Sequence, residues 1–435
     1  MNRLGRLVFL LALCGSLQAN TPDQEPQKRA TLRDAITTAI ENNFLLKESA
    51  ERVIQFDYRI KEAKAGYLPK ASLSLDAEKR DERNLEIIKD EFNSRSGGLR
   101  ITQNLYDGSA TSSSVDRYTN LQYESKEQHR ATLETEILKI IDAYLGVVYQ
   151  REALKTVTQN MQLLEKILEI VTIKVQSGAA NIGEQSSIQA SVADANKTKV
   201  TVESRYADAI SLYEFLTGDA IEELDPFEKT VPMQIPMHDE MLNDITAGNA
   251  ELRALHYRLQ GKKHELTWQK SDFLPKVELI GSIDDSDTKQ GGDGFKKNKS
   301  IKAQLTQKLF DGFESESKTK RIYSELNEIN YKIEHASKRL YWDGKKLHNS
   351  IQTLRDTLDN SQTELDATQS MVDSYWERFR HSSQDLFILL SAQKQLFEIK
   401  FARLQYHKNQ TVDYFKLLAL EGKLLETLDM TTLHP

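Results

Sequence analysis

The chain has 435 residues, of which 39% are hydrophobic, with only 19 glycines and 8 prolines. So few chain breakers over such a length point to long helices rather than a string of compact domains. A formal net charge of −7, with Lys and Arg spread along the chain, excludes nucleic-acid binding, and the single cysteine excludes disulfides and thiolate metal sites.

Residues 1–19 read as a secretory signal peptide, with Arg3 and Arg6, the apolar run Leu7 to Leu13, and the small residue Ala19 before the cleavage point. The one cysteine, Cys14, would leave with it. A lipid anchor at "LALCGS" is the competing reading, against which Leu13 is large where a lipoprotein signal wants a small residue. After residue 20 no apolar run approaches the ~20 residues that cross a bilayer as a helix. If this chain spans a membrane, it must do so as a closed β-barrel.

From Thr31 to Ala65 the pattern is helical, opening on a capping box of Thr31 and Asp34 and ending before Pro69. Strict alternation follows: Ala71, Leu73, Leu75 and Ala77 on one face, Ser72, Ser74, Asp76 and Glu78 on the other. That pattern predicts a strand with one oily and one wet side. A charged loop over residues 79–97 leads to a second alternating stretch, Leu99, Ile101 and Leu105 against Arg100, Thr102 and Asn104, closed by "LYDG" at Gly108.

The second half repeats this order. A helix from about Asp239 ends at Pro275, a strand carries Val277, Leu279 and Ile283 against Glu278, Ser282 and Asp284, and a Gly- and Lys-rich loop leads to "IKAQLTQKLFDG". Pro275 follows Pro69 by 206 residues and Gly312 follows Gly108 by 204. The long helices, 109 to about 176 and 313 to about 380, keep that offset in their heptads. Leu347, Ile351, Leu354, Leu358, Leu365, Val372, Tyr375 and Phe379 match Ala143, Val147, Gln150, Leu154, Met161, Leu168, Val171 and Val175, with Ser361 and Thr368 interrupting the second series. A sustained 3.5-residue repeat predicts a left-handed coiled coil. Each long helix then reverses at a polar turn, around Gly178 and around Ser382, into a return helix.

The reading is therefore of residues 20–217 and 239–427 as two structural repeats, joined by a connector at 218–238 and followed by a tail at 428–435. Four alternating strands per chain cannot close a barrel alone, and unpaired strand edges are intolerable in lipid. A homotrimer would supply twelve strands around a wet lumen lined by Ser72, Asp76, Arg100, Thr102, Lys302 and Thr306. The expected fold is mainly α with membrane β: a trimeric 12-stranded β-barrel, four strands per chain, continued by a long α-helical coiled-coil tunnel.

The segments "AKAGYLPKASLSL", "LRITQNLYDG", "SDFLPKVEL" and "AQLTQKLFDG", with the two turns, resemble the TolC family of outer-membrane channel proteins over nearly all of the mature chain. The resemblance implies a homotrimeric exit duct for type I protein secretion or tripartite drug efflux. It would sit in outer-membrane lipid with its tunnel in the periplasm, energised by an inner-membrane ABC transporter or proton-driven pump through a periplasmic adaptor. By the same resemblance Gly178, Ala179, Ala180, Asn181 and Ile182 form one periplasmic tip that docks the adaptor, and Ser382, Ser383, Gln384, Asp385 and Leu386 the other. Pro69, Gly108, Pro275 and Gly312 mark the helix–barrel junctions. A family lock that holds the helices closed would map to Glu184, Phe379 and Gln384, and an acidic constriction ring to Ile388 and Ser391, which cannot ionise usefully. Glu184 and Asp385 are candidate acids of the tunnel entrance, and the rival reading makes both simple helix-start carboxylates stabilised by the macrodipole. Gln103 and Gln307, upstream of "LYDG" and "LFDG", lean toward the type I secretion branch.

No enzyme or cofactor signature accompanies these motifs. There is no P-loop, no nucleophile elbow, and no second ligand pair beside His256 and His264. "GGDG" at 291–294 occurs once, without the repetition a calcium repeat needs. Trp268, Trp342 and Trp376 fall in helices, as packing or lumen residues rather than a membrane belt. The alternatives to a channel are a coiled-coil scaffold without a pore, or a periplasmic adaptor, which would need a lipoyl-like β segment that the chain lacks.

Overall fold

The computed structural model describes residues 30–83, 89–218, 220, 224–225, 238–288, 294–381 and 385–430. The signal segment, most of the connector, residues 291–293 and the turn Ser382–Gln384 lie outside the described residues. In chain order the elements are α1 (Leu32–Asn42), α2 (Phe44–Lys64), β1 (Lys70–Arg83), β2 (Lys89–Tyr106), α3 (Ala110–Gln176) and α4 (Ile182–Thr217). The second half gives α5 (His238–Gly248), α6 (Ala250–Lys270), β3 (Lys276–Thr288), β4 (Phe295–Thr306), α7 (Glu314–Arg380), α8 (Leu386–Leu420) and the short α9 (Leu424–Thr427).

The capping box at Thr31 and Asp34 is present. The single helix expected from Thr31 to Ala65 is instead two, broken at Asn43. That side chain accepts the amides of Leu45 and Leu46 and restarts the helix as an N-cap. Asn249 does the same between α5 and α6 with Glu251 and Leu252. An asparagine at this position competes with the helix for its own backbone, which the apolar periodicity alone does not register.

The four strands form one antiparallel sheet in the order β1-β2-β3-β4. The loop expected at 79–97 is largely strand: β1 runs to Arg83, β2 starts at Lys89, and Ala77 pairs Arg95. Charge there is a property of strand ends that rise clear of the apolar zone, not of a loop. Register unites the oily positions. Leu73 pairs Leu99, which pairs Ile283, and Ile101 pairs Gly281, which pairs Ile301. Ser72, Arg100, Ser282 and Ser300 form a row on the opposite face. The oily face is bare: Leu73 is 70% exposed and Ile301 83%. Both outer edges, β1 and β4, have a hydrogen-bonded neighbour on one side only.

α3 and α7 each run 67 residues, about 100 Å at ~1.5 Å per residue. Every heptad position of α7 named above is buried or half-buried, and so are Ser361 and Thr368. Ser361 receives Arg403 of α8 at 2.8 Å, so the polar interruption anchors the return helix. A broad core around Ile36, Ile137, Tyr144, Ile351 and Phe415 ties α1, α3, α7 and α8 together midway along the helices. There the Tyr144 hydroxyl donates to the Asp225 carbonyl at 2.9 Å. Burial pushes that phenol well above its usual range, so it stays a donor at any ordinary pH.

Candidate functional site: helix–strand junctions and hairpin tips

At each junction the helix tightens to a 3-10 turn, Ala65–Tyr67 or Ser271–Phe273, before Pro69 or Pro275 forces the chain into the strand. Gln103 donates to the Tyr67 carbonyl at 3.1 Å, and Gln307 to the Phe273 carbonyl at 3.2 Å. These glutamines, noted in the sequence only as a family hint, satisfy the carbonyl that the turn leaves open. On the return, Gly108 and Gly312 take φ of +67° and +66°, a conformation costly for any side chain. The next residues, Ser109 and Phe313, are also left-handed and give the long helices no side-chain cap. Asp107 and Asp311 cap them from further back. Asp107 accepts the Thr111 amide at 2.8 Å and Asp311 the Ser315 amide at 3.2 Å. Partial burial raises the Asp107 pKa, but the Thr111 hydroxyl and amide outweigh it and leave the carboxyl below its ordinary value. Both aspartates stand in the "LYDG" and "LFDG" motifs, with a hydroxyl residue four positions on; that spacing was the available signal.

The first tip is a tight reversal. Gly178 sits at φ +74°, the amides of Ala179 and Ala180 both return to the Lys174 carbonyl, and Asn181 caps α4 by accepting the Glu184 amide at 2.9 Å. The Glu184 carboxylate takes the Asn181 amide group at 3.0 Å. Ile182, at 74% exposed, points an apolar side chain outward at the turn. In the second tip only Asp385 and Leu386 are described: Asp385 accepts the Phe387 amide at 2.7 Å, and Leu386 is buried. Ser382, Ser383 and Gln384 lie outside the described residues. Glu184 and Asp385 thus both act as helix-start carboxylates in the structure, and no contact joins them. Ile388 and Ser391 are exposed.

Sequence reasoning missed Lys174. Its ammonium donates to the Phe379 carbonyl at 3.0 Å and lies 4.2 Å from the Phe379 ring centre. Phe379 is buried with Ile167, Val171, Ile188 and Leu389, so one apolar cluster fastens the two hairpins together just behind their tips. Of the three lock positions the resemblance implied, Phe379 is held through its backbone and ring, and Glu184 by its own helix start.

A second unforeseen feature is a charged knot on α3. Arg130 reaches Glu134 at 3.0 Å and the Gly422 carbonyl, while Arg253 of α6 holds Glu127 at 2.6 Å. Burial drives the Glu134 pKa up to about 7 against the pull of Arg130. Among the described residues no His, Cys, Asp and Glu grouping could hold a metal. His264 faces Asp116 at 3.8 Å. Trp268 and Trp342 are exposed in the single chain, and Trp376 is half-buried in the tip cluster.

The sequence profile of the outer membrane efflux protein family matches residues 35–218 and 241–423, one match per repeat. The chain belongs to this family. Its channel proteins are not enzymes, which agrees with the reading of the motifs. The outer membrane efflux protein BepC of Brucella suis is 18% identical over 396 residues, covering 91% of this chain and 86% of that protein. The alkaline protease secretion protein AprF of Pseudomonas aeruginosa is 20% identical over 264 residues, covering 57% of this chain and 54% of that one. The solved MtrE outer membrane channel of Neisseria gonorrhoeae shares the fold with a TM-score of 0.76 at 17% identity, over 90% of this chain and 89% of that one. The efflux-protein fold accounts for the duplicated order of helix pair, strand pair and long hairpin. Among the described residues no helix is long and apolar enough to cross a membrane.

Proposed function

We propose that this chain is one third of a trimeric outer-membrane channel-tunnel, a passive exit duct for type I protein secretion or tripartite drug efflux. The carrying observation is the sheet: four strands, oily on one face and polar on the other, with both edges open and both ends continuous with 67-residue helices. Three copies joining β4 of one to β1 of the next close twelve strands with no edge left, and the polar rows line the lumen. The same rotation brings bare α7, with Tyr323, Tyr331 and Trp342 exposed, against bare α2, with Ile54 and Tyr58 exposed. The hairpin tips, about 100 Å away along the helices, are then the ends that meet a periplasmic adaptor and, through it, an inner-membrane pump. Residues 20–217 and 239–427 serve as its two repeats. Relatives named for efflux and for protease secretion support both cargo classes.

The test is the native mass of the detergent-extracted protein, corrected for bound detergent, followed by conductance in a planar bilayer. Three mature chains and a stable aqueous conductance are the expected result. A monomer or dimer leaves the sheet edges unpaired and sinks the proposal in favour of a scaffold.

A further inference from the structure

The oily face of the sheet holds a groove of about 400 Å³ lined by Leu99, Ile101, Gly281, Ile283, Ile301 and Lys299. Its floor is Gly281, paired with Ile101 on one side and Ile301 on the other. Nothing local demands glycine there: its backbone does not take the left-handed conformation, and a Cβ would meet no atom within 4 Å. A glycine inside a strand weakens it and commonly marks a place where a ligand approaches the backbone. The duplicated strand makes the contrast. At the position 206 residues earlier, β1 carries Leu75, which is exposed.

One row further from the helices, Lys299 stands opposite Ile283 at the groove's end. Beyond it β3 and β4 carry charge on the same face, with Lys297 opposite Asp285 and the two 3.9 Å apart, while apolar Leu75 lies in that row and Phe295 one row further out. Among the described residues Lys299 makes no ion pair, and Asp285, the nearest acid of the next row, is taken by Lys297. Lys299 therefore stands at the outer end of the groove, on the side away from the tunnel, with the apolar trough directly below it.

We infer that this groove is a binding site for a phosphate-bearing lipid of the outer leaflet, with one acyl chain over Gly281 between Ile101 and Ile301 and the phosphate on Lys299. The inference rests on the sheet being a lipid-facing barrel wall. Charge complementarity selects the occupant, because a lone ammonium at the edge of an apolar surface matches an anionic headgroup above its own hydrocarbon chain. The glycine and the lysine belong to the second repeat alone, so each chain has one such groove and a trimer three.

The experiment is native mass spectrometry of the detergent-solubilised protein with diphosphoryl lipid A, with enzymatically dephosphorylated lipid A, and with inorganic phosphate alone. Wild type is expected to retain diphosphoryl lipid A, up to three per trimer, and not inorganic phosphate. Lys299→Gln should weaken that retention about fivefold, the effect of one lysine at an anionic surface. Gly281→Ile, which fills the trough, should weaken it as much or more, and dephosphorylated lipid A should bind wild type no better than the intact lipid binds Lys299→Gln. Equal retention by wild type and Lys299→Gln, or by the two lipids, overturns the site. The same spectra report the oligomer: a wild type that is not trimeric overturns the barrel reading itself, whereas a trimer with indifferent lipid binding overturns only this inference.

Discussion

The two halves of the chain have the same order of elements, yet they are covered differently. In the first half, α3 packs against α2 of its own repeat and α6 of the other; in the second, α7 packs against α6, and its far flank is bare. The junction glycines show the same contrast at atomic scale. A Cβ at Gly108 would lie 2.6 Å from the Leu274 Cβ, whereas one at Gly312 meets nothing within 4 Å. The residue 206 before Leu274 is Leu68, which is 63% exposed. A duplicated chain whose second half is uncovered where its first half is covered has its missing partner in the first half of another copy. That is the arrangement of a closed heterologous ring.

The largest expected effect comes where the halves solve one problem by different means. In the first, the Asn42 side chain reaches the Thr217 carbonyl at the end of α4. In the second, Gly248 and Gly422 bring two backbones together, and a Cβ at Gly248 would lie 2.0 Å from the Glu421 carbonyl oxygen. Gly248→Ala must displace backbone rather than a side chain and should cost about 3 kcal/mol or more. Asn42→Ala removes one part-exposed hydrogen bond and should cost about 1 kcal/mol. Chemical denaturation of both variants checks the ranking, and equal costs would mean that the two ends of the return helices are not held differently.

Next come the junction glycines. Gly108→Ala and Gly312→Ala share the strain of a positive φ, roughly 1 kcal/mol. Gly108→Ala adds a clash inside its own chain and should lose about 1–3 kcal/mol more, in monomer and assembly alike. Gly312→Ala should show an excess loss only in the assembled protein, read as dissociation of the trimer at lower denaturant. An unassembled chain equally weakened by both would break the inference that a neighbouring copy's Leu68 fills the space beside Gly312.

The charged knot on α3 has no counterpart on α7, since Lys338 and Tyr331, 204 residues after Glu134 and Glu127, are exposed. Burial raises Glu134 from its ordinary 4.5 to about 7. Between those values the folded chain keeps a proton that the unfolded chain releases, so stability falls as pH rises through this window. Glu124 and Glu421 are pushed the same way by burial and add to the slope. The melting temperature should therefore drop from pH 5 to pH 8, and Glu134→Gln should flatten part of that drop. An unchanged slope in the variant would assign the pH response elsewhere.

How much of this was legible in the sequence depends on which kind of force wrote it. Periodic burial writes itself at every turn, so the strands' oily faces, the heptads of α3 and α7, and the breaks at Pro69, Pro275, Gly108 and Gly312 could be read in register. Breaks made by one hydrogen-bonding side chain could not: Asn43 and Asn249 sit among good helix formers, and only the structure shows them capping. The charged stretch 79–97 was misread because the strands' oily-and-polar alternation gives way to charge there while the backbone ladder continues. At the first tip, the reversal around Gly178 was legible, whereas the Asn181 cap was not. The Lys174–Phe379 contact was not, because it joins residues 205 apart whose meeting depends on how two hairpins lie together.

The smallest effect tests whether the junction aspartates work alike. Asp107 takes the Thr111 amide at 2.8 Å and the Thr111 hydroxyl, while Asp311 takes the Ser315 amide at 3.2 Å and draws its lowered pKa first from the Ser315 hydroxyl and then from that residue's amide and Lys308. Asp107→Ala should cost about 1 kcal/mol, as for other helix N-terminal caps, and Asp311→Ala should cost less because its bond to the capped amide is the longer one, 3.2 Å against 2.8 Å. Both carboxyls are held below their ordinary value of 3.8, so their contribution is fully present above that pH and is lost as pH falls through the lower, folded value. Acid titration of the two variants from pH 5 to pH 2 should then converge on wild type, and Asp107→Ala should start from the larger deficit. Were Asp311→Ala the costlier, the exposed junction would be the one under load, which requires that assembly bury it against the neighbouring copy. The two substitutions thus measure, at the scale of one hydrogen bond, the asymmetry that the glycines measure by packing.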